Sequence, residues 1–221
     1  MGRLIEQLAP EYGFDATLKL DEFNNADGAG ISREAFQDID AAIDFSIPST
    51  VAGHVEKIAP LGVPIVIGTT GWQQELSRVQ LAVERDKIGL VYGANFSVGV
   101  QAFYRIVEVA ARTLAAEEEY DAWAHEAHHK MKKDAPSGTM LHLLGVMEAG
   151  GYKRGIDVAT NRVGYVPGTH EIGFDSEADT IRLVHTARNR MGFARGALRA
   201  ARWIVGKQGL YEFSTIWDRL R

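Results

Sequence analysis

The sequence predicts an α/β fold: a parallel sheet with helices on its faces, joined to a smaller α+β unit whose sheet is mixed and largely antiparallel. Three observations predict it. Short apolar runs alternate with helical segments through the first ninety-odd residues, the pattern of βαβ units. One of these runs, Val63 to Ile67 (VPIVI), is apolar throughout, as a strand buried on both faces must be. Beyond residue 155 the chain changes to strand-like stretches joined by Gly- and Pro-containing turns, which suits a separate, more antiparallel sheet.

Taken in order, Leu4, Ile5 and Leu8 share one helical face, and Pro10 and Gly13 end that helix. Ala16 to Leu20 reads as a short strand followed directly by Asp21. Ala41 to Phe45 is a second strand, and Pro48, Ser49 and Thr50 open the next helix. VPIVI runs into the turn Gly68-Thr69-Thr70-Gly71, and residues 73–86 form a helix of mixed charge. Ile88 to Tyr92 is a further strand with Gly93-Ala94-Asn95-Phe96 as its exit loop. Then come a long apolar helix from Val98 to Ala116, a period-two strand from Tyr120 to His128, and a helix beginning near Ser137 and ending at Gly150. Strand-like stretches at 157–166, 170–174 and 180–187 precede a last helix, Ala194 to Val205, whose small residues Ala194, Gly196, Ala197, Ala200 and Ala201 allow close packing.

The 221 residues suffice for one domain and a small partner without disulfide staples. Lys+Arg 24 against Asp+Glu 29 leaves a net charge of −5, which argues against a general nucleic-acid binder. The absence of cysteine excludes disulfides, Cys-based zinc sites and thiol nucleophiles together. No apolar run approaches the roughly 18 residues of a membrane helix, and Glu6 interrupts the N-terminus too early for a signal peptide. A soluble cytoplasmic protein is expected.

A dinucleotide-binding, Rossmann-like sheet normally begins with a strand, a Gly-rich turn and a helix whose N-terminus receives the pyrophosphate. Here Gly2 stands where the last glycine of such a turn stands, and Asp21 follows nineteen residues later. That spacing is close to the ~20 of an acidic residue that holds a ribose hydroxyl. A lone glycine before a helix equally serves a local turn. The strand and first glycines of the motif do not precede Gly2, so weak coenzyme binding and low stability are expected of a chain that opens this way.

The densest chemistry lies in His125-Glu126-Ala127-His128-His129-Lys130-Met131-Lys132-Lys133-Asp134-Ala135-Pro136-Ser137-Gly138-Thr139. His125 to His129 satisfies the HExxH zinc-peptidase pattern, with Glu148 as a third ligand. That pattern works on a helix, where i and i+4 lie about 6 Å apart; on a strand the two histidines stand ~13 Å apart. The period-two run into the motif favours the strand, so no metal is expected. The second half suits an anion: Pro136 and the hydroxyls of Ser137 and Thr139 start a helix whose free N–H groups and dipole favour a carboxylate or phosphate. Gly138 permits close approach to the backbone, and Lys132 with the histidines adds cationic and proton-donating groups.

The run His128-His129-x-x-Lys132-x-Asp134-Ala135-Pro136-Ser137-Gly138-Thr139 resembles the signature of the dihydrodipicolinate reductase family. The similarity continues in Asp44-Phe45-Ser46-x-Pro48, Gly68-Thr69-Thr70-Gly71, Ala94-Asn95-Phe96-Ser97-Val98-Gly99, Arg162-x-Gly164 and Phe193-Ala194-x-Gly196-Ala197. It spans essentially the whole chain in order.

The resemblance implies a homotetrameric reductase of the diaminopimelate route to lysine. Residues 1–97 and 190–221 would form the dinucleotide domain, and 98–189 the substrate and oligomerisation domain. It implies hydride delivery from a nicotinamide coenzyme to C4 of a cyclic imine, with His128 and Lys132 as the proton-donating pair. His129, Ser137, Gly138 and Thr139 would hold the substrate carboxylates. Phe45, Ser46, Gly68, Thr69, Thr70, Gly93, Ala94, Asn95 and Phe96 would line the coenzyme, with Gly2, Arg3 and Asp21 at its far end. Asp21 and Glu22 have no adjacent Arg, so NADH is expected over NADPH, with NADPH possible, because a carboxylate repels a 2′-phosphate. The alternatives are a truncated, catalytically weak dicarboxylate-binding or assembly module, an oxidoreductase for a different cyclic dicarboxylate imine, and the HExxH zinc peptidase.

Overall fold

Pairing of apolar runs produces two separate four-stranded sheets in the computed structural model, which describes residues 1–220. The chain divides accordingly into two compact units. One is Met1–Val98 with the stretch from Met191 onward, and the other is Gly99–Arg190.

In the first unit, β1 (Ala42–Asp44), β2 (Ile65–Ile67), β3 (Gly89–Tyr92) and β8 (Gly209–Glu212) lie in that order, all parallel. The VPIVI run behaves as a doubly covered strand. Ile65 and Ile67 face α2 (Pro48–Ile58) and α3 (Leu76–Asp86), while Val66 faces α6 (Met191–Ile204). Leu90 and Val91 divide between the same two layers. Helix α1 (Gly2–Leu8) ends as expected in a 3-10 turn closed by Gly13 at φ +76. Burying Leu8 against Ala194 and Leu198 fastens α1 to α6.

One reading of this unit needs correction, and one strand was not anticipated. Ala16–Leu20 forms no strand: Leu18 and Leu20 pack against the α2–α3 core, but the backbone that follows bonds to itself. Asp21 Oδ1 accepts from Phe23 N at 2.9 Å and Asn24 N at 3.3 Å, and Asn24 Nδ2 donates to the Lys19 carbonyl at 2.9 Å. An Asx turn has captured groups that a ladder would need. Conversely, β8 is a strand that the sequence does not announce. It has four residues, of which only Leu210 and Tyr211 favour strands. Register against β3, not composition, makes it one.

In the second unit, β5 (Ile156–Arg162), β4 (Asp121–His128), β6 (Thr169–Asp175) and β7 (Thr180–Thr186) lie in that order. The first pair is parallel and the other two are antiparallel. Along β4 the alternate residues Ala122, Ala124, Glu126 and His128 are buried. The first two meet α4 (Val98–Leu114) and α5 (Gly138–Ala149) in a core with Ile172, Phe174, Leu143 and Met147. The last two carry the same inward direction on into a polar cluster.

Candidate functional site

The carboxyl ends of parallel strands carry ligand sites because loops there are free to vary while the sheet holds them in place. At the ends of β1 and β2 the Asp44 carboxylate ties the loops together. Oδ1 accepts from Ser46 N at 2.8 Å and from Thr69 Oγ1 at 3.1 Å, and Oδ2 lies 2.8 Å from His54 Nδ1. Burial alone would raise its pKa, but hydrogen bonds from His54 and Ser46 outweigh burial and hold it below the ordinary carboxylate value. Gly68 is fixed by contact: a Cβ there would lie 2.2 Å from the Phe45 ring. Phe45 in turn meets Phe96 edge-on at 6.3 Å, and Phe96 packs on Phe213 at 4.5 Å.

The structure thus brings together Phe45, Ser46, Gly68, Thr69 and Phe96, with Gly93, Ala94 and Asn95 in the exit loop of β3. Ser46, Thr70 and Ala94 are exposed, so this rim presents small and hydroxyl-bearing side chains. Gly2 and Arg3 are exposed at the start of α1, and a Cβ on Gly2 would meet nothing within 4 Å. Asp21 is occupied by its own turn through Oδ1. Asp44 is the residue that sequence reasoning passed over. It was visible inside the Asp-Phe-Ser motif, but its role depends on Thr69 and His54, which lie 25 and 10 residues away.

The HExxH geometry does not arise. His125 and Glu126 lie on opposite faces of β4, His125 beside Asn161 at 3.2 Å, and His129 stands beyond the strand end. Glu126 turns inward and is fully buried. It accepts from Ser137 N at 3.0 Å, from Ser137 Oγ, and from Arg162 Nη2 at 2.8 Å. Burial would raise its pKa, yet the bonds from Ser137 and Arg162 prevail and keep it below the ordinary value. Ser137 serves both sides, since its oxygen also caps α5 by accepting from Met140 N at 3.1 Å.

His128 and His170 complete the cluster, with rings 5.0 Å apart and 3.8 and 3.6 Å from Glu126 Oε2. Glu126, His128 and His170 therefore have the spacing of a metal-ligand set. However, Ser137 and the Arg162 cation already engage both carboxylate oxygens, and Ser137 Oγ lies 3.2 Å from His170 Nε2. Hydrogen bonding accounts for Glu126 and for His170 Nε2, whereas the Nδ1 atoms of His128 and His170 are buried without a hydrogen-bond partner among the described residues. Around it, Lys132 Nζ reaches the Asp134 carboxylate at 2.8 Å. The His129 Nδ1 atom is buried without a hydrogen-bond partner among the described residues. Gly138 is exposed with open space before it, and Thr139 bonds to Tyr104.

Burial lowers the pKa of His128, with the Lys132 and Arg162 cations adding and Glu126 opposing. His170, more deeply set and next to His128, is pushed down to about 4. Below 6.5 the unfolded chain then binds a proton that folded His170 refuses, so stability falls as pH drops from 6.5 and levels off below about 4. From His170 alone the loss is about 3 kcal/mol, at roughly 1.36 kcal/mol per pH unit, and His128 and His185 act in the same direction. Denaturant melts across this range should show that slope, and His170→Asn should flatten it. An unchanged slope in the variant would refute the assignment.

A parallel sheet with hydroxyl-rich strand-end loops, and a second unit with a cationic helix-start site, define a two-domain nucleotide-linked α/β enzyme. Residues 13–96 match the N-terminal domain of dihydrodipicolinate reductase, and residues 99–216 match its C-terminal domain. The chain belongs to the dihydrodipicolinate reductase family. Among relatives named 4-hydroxy-tetrahydrodipicolinate reductase, that of Christiangramia forsetii is 30% identical, covering 100% of this chain and 95% of the relative. That of Ralstonia pickettii is 34% identical, covering 92% and 84%. The dipicolinate-bound dihydrodipicolinate reductase from Paenisporosarcina sp. TG-14 shares the fold, with a TM-score of 0.67 and 24% identity over 80% of this chain and 73% of that one. No helix among the described residues is long and apolar enough to cross a membrane.

Proposed function

We propose that this chain reduces the dehydrated form of 4-hydroxy-tetrahydrodipicolinate to tetrahydrodipicolinate, the step its named relatives carry in the diaminopimelate route to lysine. The observation that carries the reading is the turn after β4. It carries in succession the orphaned Nδ1 of His129, Lys132 and the start of α5, groups that suit one small anion, in a chain of this family. His129 with the backbone N–H groups of Gly138 and Thr139 holds the ring carboxylates, since free N–H groups and the dipole at the helix start favour anions; Ser137, expected beside them, is instead buried with its N–H and hydroxyl given to Glu126.

When bound to the loops of the first unit, the nicotinamide coenzyme supplies a hydride to C4 of the ring. Lys132 and His128 supply the matching proton to the electron-rich carbon skeleton. Because burial favours neutral His128, the Lys132 ammonium is the member that arrives charged. Asp21 Oδ2, free of the turn that Oδ1 makes, and exposed Glu22 disfavour a 2′-phosphate. NADH is accordingly preferred over NADPH. The same reading makes the active form a cytoplasmic homotetramer assembled through the second unit, checked by mass in solution.

The test is coenzyme oxidation by the purified chain, with substrate generated in place from aspartate semialdehyde and pyruvate by a coupled synthase. Turnover with NADH at a higher kcat/KM than NADPH is expected. Comparable values would remove the coenzyme preference. Binding of pyridine-2,6-dicarboxylate without turnover would replace the reductase by a binding module.

A further inference from the structure

Glu126 and Arg162 enter no step of the proposed reaction, yet they form a buried ion pair at the end of the strand that carries His128. The two side chains stand on neighbouring strands, β4 and β5, where His128 pairs in register with Arg162. Glu126 has no exposed surface, and the Arg162 side chain keeps 18%. Such a pair costs desolvation that is offset only when further hydrogen bonds satisfy both partners. Here most of those bonds go to one short segment, while Arg162 Nη1 also donates to the Asn161 carbonyl at 2.9 Å and its Nε has no partner among the described residues. Glu126 receives both the backbone N–H and the hydroxyl of Ser137, and Arg162 donates to the carbonyl of Asp134. The ion pair therefore grips residues 134–137 at both ends. Lys132 lies two residues before that segment, and Gly138 and Thr139 directly follow it. Apolar replacements would fill the same space at no greater cost to folding, so the charges are explained by what they hold.

We propose that Glu126 and Arg162 are positioning residues that fix the 134–137 turn, and through it set Lys132 and the start of α5 at the separation the dicarboxylate requires. They act through Ser137 and Asp134 and touch neither substrate nor coenzyme. This rests on the reductase reading above.

The test compares Glu126→Gln, Arg162→Met and the double variant by pyridine-2,6-dicarboxylate titration, NADH titration and steady-state kinetics. Gln is isosteric but presents an amide N–H₂ to Ser137 or Arg162 where an acceptor is needed. Each single variant should weaken dicarboxylate binding and lower kcat/KM by about tenfold or more, with NADH affinity within twofold of the parent. The double variant should be no worse than the poorer single one, because both members of a coupled pair are gone. If Glu126→Gln is insoluble, Arg162→Lys, which keeps the charge but not the fork, should show the same selective loss. Unchanged dicarboxylate affinity and kcat/KM in folded variants would reduce the pair to a structural role and overturn the proposal. A parent chain that neither binds the dicarboxylate nor turns over would instead overturn the reductase reading.

Discussion

Lys132→Ala is expected to lower kcat/KM by about two to four orders of magnitude, the range associated with losing a positioned proton donor, while the fold barely responds. The second half of that expectation comes from the surroundings. The Lys132 ammonium meets Asp134, whose side chain is 56% exposed, and ion pairs of that kind contribute between nothing and about 1 kcal/mol to stability. The melting temperature should therefore move by only a few degrees. Lys132→Arg separates the two jobs a cation can do here. A guanidinium keeps the charge and can still hold a carboxylate, but it does not give up its proton. Dicarboxylate binding should survive in Lys132→Arg while kcat stays as low as in the alanine variant. Recovery of kcat in Lys132→Arg would make Lys132 an electrostatic anchor and leave the proton to His128, which burial holds neutral. The kinetics of the two variants, measured beside dicarboxylate titrations, decide between these roles.

What could be read without coordinates followed local rules. An unbroken apolar run such as VPIVI has to be covered on both faces, and it is. The period-two pattern entering the histidines put His125 and His129 out of reach of a common metal, and β4 bears that out. Interactions set by cross-strand register were not legible. Glu126 sits opposite His170 only because β4 and β6 pair as they do, and Ser137 and Arg162 reach it from 11 and 36 residues away. One signal was nevertheless present: Glu126 continues the inward face of Ala122 and Ala124, and a carboxylate in that direction must find partners. For Ala16–Leu20 the local pattern was right and the outcome wrong. Nothing in a five-residue alternation reveals that the adjacent Asp21 turn will claim the backbone.

Two helix-interior glycines make the sharpest stability contrast. Helix propensity alone credits Gly→Ala with a gain of up to about 1 kcal/mol at either one. Gly145 lies in α5 with nothing within 4 Å of an added methyl, so Gly145→Ala should realise that gain. Gly196 lies in α6, where the same methyl would stand 1.8 Å from the Phe96 carbonyl oxygen. A backbone oxygen cannot rotate away as a side chain can, so either α6 or the exit loop of β3 must shift. Ordinary overpacking costs about 1–3 kcal/mol, and a contact this short against main chain should reach or exceed the top of that range. Gly196→Ala should then lower the melting temperature by about 6–12 °C in a chain of this length. It should also weaken NADH binding, because Phe96 is wedged between Phe45 and Phe213 and carries the loop with it. Thermal melts of the two variants side by side test the reasoning: equal shifts would mean that propensity, not the approach of α6 to Phe96, governs both positions.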